Sequence, residues 1–283
     1  MAAVDVSKLF TVHGQVFVVT GGGSGKFFGI STSGRVVMAY MILSGIGAMM
    51  AKALDANGAA KVFIIGRRKE KLVEVASAAV NKTIIPIQGD VGSKESLKSC
   101  ADQVASQTEF VNAVIANSGA QGPTLNDLPK DRTPSLSEFH EFLWKPSMEE
   151  FDQAFHINTT AAFYTMVAFL PLLDAGNNHK ASPTARTTIT SQFIITGSIG
   201  ALSKRPGMGF AYAASKAGAI LMMKQIAAMM VPYNIRCNII NPGIYPSDMS
   251  AAFLGGKDAT KMGSLPQSIV PLTRVGSDEV SCR

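Results

Sequence analysis

Residues Ile194–Lys216 read IITGSIGALSKRPGMGFAYAASK, a run that joins an apolar strand, a glycine-marked loop and the start of a helix. The strand is predicted to end at Thr196-Gly197-Ser198, and the helix is predicted to carry Tyr212 and Lys216. Residues four apart share one face of a helix. The Tyr212 phenol and the Lys216 ammonium are therefore expected one turn apart, with the Ser198 hydroxyl delivered nearby by the strand end.

These three side chains form a plausible set for proton transfer. A tyrosine in water has a pKa near ~10, and an adjacent lysine cation favours the phenolate and lowers that pKa. We interpret Tyr212 as a general acid or base, Ser198 as the group that holds a carbonyl oxygen, and Lys216 as the group that tunes Tyr212. A Tyr-x-x-x-Lys pattern alone is weak, since it also fits a core tyrosine beside a solvated lysine. The interpretation therefore depends on the rest of the chain.

Apolar strands alternate with helices six times along the sequence. The predicted strands are Gln15–Thr20, Lys61–Ile65, Thr83–Gln88, Val111–Ala116, Phe193–Ile195 and Ile235–Ile240. This alternation predicts an α/β fold, a Rossmann-like doubly wound parallel sheet in one domain over residues 1–283. Ligands of such sheets bind beyond the carboxyl ends of the strands.

The polar segment Gln121–Lys145 is predicted to be a loop with one short helix. Ser147-x-x-Glu150 is a capping box, and it is predicted to open one long helix that runs to about Leu173.

Composition argues against several classes of protein. The net charge is +6 in 283 residues, and the only basic cluster is Arg67-Arg68-Lys69, so no nucleic-acid partner is expected. Three distant cysteines and four histidines without ligand spacing predict neither disulfides nor a metal site. Few and widely separated cysteines suit a reducing compartment. The N-terminal residues show no signal-peptide pattern, so we expect a cytoplasmic protein.

The first glycine turn is interrupted. Gly21-Gly22-Gly23-Ser24-Gly25 follows the first strand, but the helix expected next begins only at Gly45-Ile46-Gly47. We expect the intervening segment, Lys26–Ser44, to detach one glycine group from the other. It could be a looped-out insertion, or a membrane segment, although its apolar run is shorter than the ~20 residues that a span needs. Our preferred hypothesis is a retained intron translated in frame, since Gly-Lys-Phe can be encoded by GGTAAGTTC, which contains a common donor sequence.

Taken together, these motifs resemble those of the short-chain dehydrogenase/reductase family, in its standard-length branch. Within that branch, the chain resembles the 3-oxoacyl reductase-like members. The resemblance runs from about Gly14 to Gly276, outside the interruption. The matching motifs are Thr20-Gly21-Gly22-Gly23-Ser24 with Gly45-Ile46-Gly47, Asn117-Ser118-Gly119, Asn158, Ser198 with Tyr212-x-x-x-Lys216, and Pro242-Gly243. Several motifs in the right order are far more specific than any one of them.

The resemblance implies roles for four catalytic residues. Tyr212 would donate a proton to a substrate carbonyl while a nicotinamide hydride attacks the carbon. Lys216 would hold the nicotinamide ribose and lower the pKa of Tyr212. Ser198 would hydrogen-bond the carbonyl oxygen, and Asn158 would fix a water that relays protons to Lys216.

The resemblance also implies cofactor contacts. Asp90 and Val91 would contact the adenine, and the Ile244 backbone and the Ser247 hydroxyl would hold the carboxamide. The remaining implied cofactor-binding residues are Thr20, Gly21, Ser24, Gly25, Gly45, Ile46, Gly47, Asn117, Gly119, Tyr212, Lys216, Pro242 and Gly243.

The choice of cofactor follows from the end of the second strand. NAD-binding relatives usually place an acid there, whereas this chain has Gly66 followed by Arg67 and Arg68. A guanidinium can pair with a 2′-phosphate. NADP(H) is therefore expected in preference to NAD(H).

The function implied is NADPH-dependent reduction of a ketone or 3-oxoacyl-type carbonyl, with the substrate chosen by Gln121–Lys145 and Pro246–Pro266. The alternatives are an alcohol dehydrogenase working towards oxidation, and a catalytically dead Rossmann scaffold with a broken phosphate loop. Relatives continue through a further helix and an edge strand beyond Gly276, so a truncated C-terminus is expected. The expected partners are a small carbonyl or alcohol substrate and further copies of the chain in a homo-oligomer, without a membrane.

Overall fold

Six parallel strands form one sheet whose strand order is β3-β2-β1-β4-β5-β6. The structure is a computed structural model that describes residues 11–23, 45–129, 131–184, 189–204, 208–247, 250, 254, 258–268 and 270–277. The strands are β1 Val16–Thr20, β2 Lys61–Gly66, β3 Ile84–Gln88, β4 Ala113–Ala116, β5 Gln192–Thr196 and β6 Arg236–Ile240. The order reverses between β1 and β4, which confirms the predicted doubly wound, Rossmann-like sheet.

The central strand β1 is buried on both faces. Val19 pairs with Ile64 of β2 on one side and with Ile115 of β4 on the other. Val16 and Val18 belong to one apolar core, and Phe17 and Val19 belong to a second core on the opposite face. Each fully buried side chain of this kind contributes roughly 1.5–3 kcal/mol relative to an exposed one, so helices are needed to cover both faces.

Helices cover both faces of the sheet. They are α1 Ile46–Ala56, α2 Lys69–Ser77, α3 Lys94–Ala105, α4 Leu136–Trp144, α5 Met148–Phe155, α6 Ala161–Asn178 and α7 Phe210–Met230. Helices α1 and α2 bury Ala48 and Leu72 in the core that contains Phe17, whereas α6 and α7 bury Phe169 and Met223 in the other. None of the helices in these residues is long and apolar enough to cross a membrane.

The predicted single helix after Ser147 differs from the structure at its centre. The capping box is present, with the Ser147 hydroxyl accepting from the Glu150 amide and the Glu150 carboxylate accepting from the Ser147 amide. The helix is then interrupted by one turn of π-helix, His156–Thr160, before α6 begins. A π-turn contains an extra residue and commonly marks a functional site. Hydrophobic periodicity did not predict it.

Candidate active site

A cleft of about 330 Å³ opens beyond the carboxyl ends of the strands. The ends of β1, β2, β3, β4 and β5 contribute to its walls, together with the first turns of α1 and α7. The predicted site residues that line it are Gly21, Gly45, Ile46, Arg67, Asp90, Val91, Asn117, Gly119, Ser198, Tyr212, Lys216, Pro242, Gly243 and Ser247. The fold thus brings the separate motifs of the sequence to one place.

Other predicted site residues do not line the cleft. Thr20, Gly47, Asn158 and Ile244 are not among the lining residues. The first three contact residues that are: Thr20 and Gly47 contact Asn117, and Asn158 contacts Ala120. Ser24 and Gly25 lie outside the described residues, as does the whole interruption, Lys26–Ser44.

The interruption does not detach the two glycine groups, so that expectation is wrong. A Cβ atom added to Gly47 would lie 2.7 Å from the Gly21 carbonyl oxygen and 2.5 Å from Asn117 Nδ2. Gly21 itself has a φ of +70°, which favours glycine. The start of α1 therefore packs directly against the turn after β1, and Gly23 and Gly45 line the same cleft.

A hydrogen-bond network joins the ends of β1, β4 and β5. The Thr20 hydroxyl accepts from the backbone amides of Asn117 and Ser118 at 3.0 and 3.1 Å. The Asn117 side chain donates to the Thr20 carbonyl and accepts from the Thr196 hydroxyl. Thr20 and Asn117 therefore fix the floor of the cleft.

Tyr212 and Ser198 meet inside the cleft. Both are 8% exposed. The Ser198 side chain hydrogen-bonds the Tyr212 phenol, and the Ser198 oxygen also accepts from the Gly200 amide at 3.0 Å. Burial raises the pKa of Tyr212, and the Ser198 hydrogen bond lowers it by less. The predicted lowering of the Tyr212 pKa is therefore wrong, because desolvation of the phenolate outweighs the Ser198 hydrogen bond. The phenol is therefore protonated at neutral pH.

Lys216 is buried beside them, one turn along α7. Its ammonium group donates to the Thr196 carbonyl at 2.5 Å and is 4% exposed. Burial lowers the pKa of Lys216 to about 8. The lysine therefore remains mostly charged at pH 7, and its position is set by the end of β5.

The side chain of Asn158 joins two other parts of the chain by hydrogen bonds. Its Oδ1 accepts from the Ala120 amide at 2.9 Å, and its Nδ2 donates to the Ala120 carbonyl at 2.8 Å and to the Ser215 hydroxyl at 2.9 Å. It is 3% exposed. The π-turn is thereby tied both to the segment after β4 and to α7, next to Lys216.

The basic cluster lies at one end of the cleft. Arg67 and Arg68 both line it and both are exposed. The Arg68 guanidinium donates to the Gly23 carbonyl at 3.3 Å, whereas the Arg67 guanidinium has no ion pair with any described residue. Arg67 is thus available to an anionic ligand.

The segment after β6 is held by backbone contacts. The Ile244 carbonyl accepts from the Gly276 amide at 2.8 Å, and a Cβ atom on Gly276 would overlap the Tyr245 ring. The Ser247 and Ser250 hydroxyls lie 3.2 Å apart. These contacts hold residues 244–247 in place. Ser247 lines the cleft, whereas Ile244 does not.

Sequence reasoning did not include ten of the lining residues. Eight of them lie within two positions of predicted site residues that themselves line the cleft: Gly23, Gly66, Arg68, Gly89, Ser118, Ala120, Thr196 and Gly197. Gln153 of α5 and Ile157 of the π-turn both face the cleft. They are four residues apart and so share one helical face, but neither is three or four residues from Asn158, so helical spacing from that asparagine does not identify them. No group of histidine, cysteine or acidic side chains in the described part of the chain could hold a metal ion.

The sequence of this chain matches known proteins. The family model for short chain dehydrogenase matches residues 36–255. The short-chain dehydrogenase/reductase PhomF of Diaporthe leptostromiformis is 41% identical over 276 residues, which cover 96% of this chain and 84% of that protein. The rhamnolipids biosynthesis 3-oxoacyl-[acyl-carrier-protein] reductase of Pseudomonas aeruginosa is 26% identical over 253 residues, covering 88% and 86% of the two chains.

A solved structure shares the fold. The Pseudomonas aeruginosa RhlG/NADP active-site complex superposes with a TM-score of 0.69 at 22% identity, covering 96% of this chain and 88% of that one. The family match, by contrast, begins only at residue 36 and so leaves out β1, although β1 is central to the sheet.

Proposed function

This chain belongs to the short-chain dehydrogenase/reductase family of oxidoreductases, and on that premise we propose that it reduces a ketone or 3-oxoacyl-type carbonyl to an alcohol with NADPH. The observation that carries the proposal is that Tyr212, Ser198 and Lys216 are all buried and all line one cleft, with the Lys216 ammonium held by the Thr196 carbonyl. Burial raises the pKa of Tyr212, so the phenol carries the proton that reduction of a carbonyl requires.

The residues of the cleft fit a nicotinamide dinucleotide. Helix α1 begins after Gly45 without a side-chain cap and without an acidic residue in its first turn. Its first amides are therefore available to a pyrophosphate, which helix N-termini favour. Arg67 would pair with a 2′-phosphate, and Asp90 and Val91 would line the adenine end. When bound, the cofactor supplies the hydride.

The residues of this chain supply the other steps. Ser198 holds the carbonyl oxygen of the substrate, and Tyr212 donates its phenolic proton to that oxygen as the alcohol forms. Lys216 then stabilises the phenolate by its positive charge until a proton from solvent restores the phenol. Asn158 keeps α7 in place, and its implied role in fixing a water is part of this proposal.

The test is a pair of tyrosine variants. Tyr212→Phe should lower turnover by at least ~10²-fold, which is typical of losing an acid-base group, with NADPH affinity nearly unchanged. Tyr233→Phe is the matched control, because Tyr233 is 60% exposed and lies outside the cleft. Turnover of Tyr212→Phe close to that of the parent would refute the proton-donor role.

Two other functions need separate measurements. An alcohol dehydrogenase working towards oxidation would bind NADP⁺ or NAD⁺ more tightly than the reduced cofactor, whereas the proposed reductase would bind NADPH more tightly. A catalytically dead scaffold would leave NADPH fluorescence unchanged on titration, whereas the proposed enzyme would shift it.

A homo-oligomer and a cytoplasmic location are further parts of the proposal. Phe163 and Val167 of α6 and Leu221 of α7 are 36%, 41% and 60% exposed, so these helices carry apolar surface that a second copy could cover. Light scattering on the purified chain would measure its mass. Cys100 and Cys237 are free thiols, which suits a reducing compartment, and a fluorescent fusion would test the location.

A further inference from the structure

The π-turn His156–Thr160 contacts three separate walls of the cleft. Asn158 accounts for one contact with the segment after β4 and one with α7, as described above. Its neighbours His156 and Thr159 make the others, and neither belongs to the residue set implied by the motifs.

His156 reaches the loop that follows β3. Its Nε2 lies 2.9 Å from the Gly92 carbonyl oxygen, and because a carbonyl only accepts, Nε2 carries the proton in this contact. A Cβ atom on Gly92 would lie 3.1 Å from His156 Nε2, 3.2 Å from Asp90 Oδ1 and 3.2 Å from the Ile157 side chain. The loop is thus packed closely against the π-turn, and its residues Asp90 and Val91 line the cleft.

Thr159 reaches α7 on the other side of the turn. Its hydroxyl donates to the Ser215 carbonyl at 2.8 Å. The Ser215 hydroxyl accepts from Asn158 and donates to the Tyr212 carbonyl at 2.9 Å. Ser215 is fully buried and directly precedes Lys216. The π-turn therefore hydrogen-bonds α7 at Ser215, which lies between Tyr212 and Lys216, the two helix residues assigned to the proposed chemistry.

We propose that His156 and Thr159 are positioning residues that act on opposite ends of the cleft: His156 holds the Asp90–Gly92 loop at the adenine end, and Thr159 holds Ser215, and through it Tyr212 and Lys216, at the catalytic end. This rests on the function proposed above. An ordinary α-helical turn presents successive residues at fixed 100° steps, whereas a π-turn contains an extra residue that changes these directions. The turn can therefore present donors to both ends.

The adenine end is tested by cofactor binding without substrate. His156→Ala should raise the NADPH dissociation constant ~3–10-fold, the effect of losing one hydrogen bond, measured by NADPH fluorescence. His156→Gln keeps a terminal N–H donor and should restore most of the affinity. Thr160→Val is the matched control, because Thr160 belongs to the same turn, is exposed and makes no hydrogen bond to a described residue through its side chain.

The catalytic end is tested by turnover and by backbone exchange. Thr159→Val should lower kcat ~3–10-fold and should affect NADPH affinity less than His156→Ala does. Thr159→Ser keeps the hydroxyl and should restore kcat. Amide hydrogen exchange of the peptide that contains Ser215, in the cofactor-free protein, should be faster in Thr159→Val than in Thr160→Val.

The outcomes separate this inference from the proposed function. If His156→Ala binds NADPH as tightly as the parent, or if both variants change affinity and kcat in the same ratio, the division of roles is wrong. If Thr159→Val leaves both kcat and exchange unchanged, its role is wrong. A parent that binds NADPH but reduces no carbonyl refutes the proposed function, and the affinity and exchange measurements then decide this inference alone.

Discussion

Replacing Asn158 with alanine should destabilise the protein measurably, because its side chain is a buried crosslink between elements distant in sequence. The variant loses hydrogen bonds to the Ala120 amide, the Ala120 carbonyl and the Ser215 hydroxyl. A hydrogen bond contributes about 0.5–1.5 kcal/mol net. Three of them at a site 3% exposed sum to about 3 kcal/mol.

Thermal unfolding measures this loss. For chains of 150–250 residues a loss of 1 kcal/mol lowers Tm by roughly 2–4 °C, so Asn158→Ala should melt about 6–12 °C below the parent. Asn126→Ala is the control, since Asn126 lies on an exposed loop and surface substitutions usually change stability by less than ~0.5 kcal/mol. A decrease of less than about 2 °C in Asn158→Ala would show that water replaces these bonds and that the crosslink reasoning is wrong.

Three further predictions follow from charge and connectivity. Burial lowers the pKa of Lys216 to about 8 from 10.5, so this residue should make the free energy of unfolding rise from about pH 8 to pH 10. Burial raises the pKa values of Cys100 and Cys237, which works against this rise. The Tm of the parent should therefore rise relative to that of Lys216→Met over this range, and equal slopes in the two proteins would exclude a perturbed lysine. Arg67→Ala should weaken NADPH binding by the ~1.5–3 kcal/mol of a charge-assisted contact and barely change NADH binding, and equal losses in the two titrations would make Arg67 structural. Deleting Lys26–Gly45 should raise Tm if this segment is a retained intron, because the loop to be closed becomes shorter. NADPH affinity should change little, because Gly21 and Gly47 already pack together. A deleted form that melts lower and binds NADPH more weakly would make the segment a working part.

Much of the fold was predictable because strands buried on both faces leave a clear signal. Apolar runs such as Phe17–Val19, each followed by glycine or a polar turn, predicted all six strands and their parallel arrangement. The residues at the strand ends were predicted for the same reason, since a parallel sheet collects them at one edge. Ser198, Tyr212 and Lys216 line one cleft as expected.

The errors concern effects that depend on tertiary context. The π-turn depends on an asparagine that satisfies Ala120 and Ser215 at once, and neither partner is near Asn158 in sequence. The pKa of Tyr212 depends on desolvation, which spacing on a helix does not reveal. The two glycine groups meet because Gly47 packs against Gly21 in three dimensions, whatever separates them along the chain.

The contact between Gly21 and Gly47 makes this position a natural site of insertional tolerance. The chain leaves β1 and re-enters at α1 with its two ends already adjacent, so a segment of variable length can be accommodated there without changing strand order. The entropic cost of closing such a loop grows only as the logarithm of its length, about 0.6 kcal/mol for each doubling. Gene rearrangement, alternative splicing or protein engineering could therefore add or remove residues at this point and preserve the sheet. Such changes would act first on the cleft, which Gly23 and Gly45 both line.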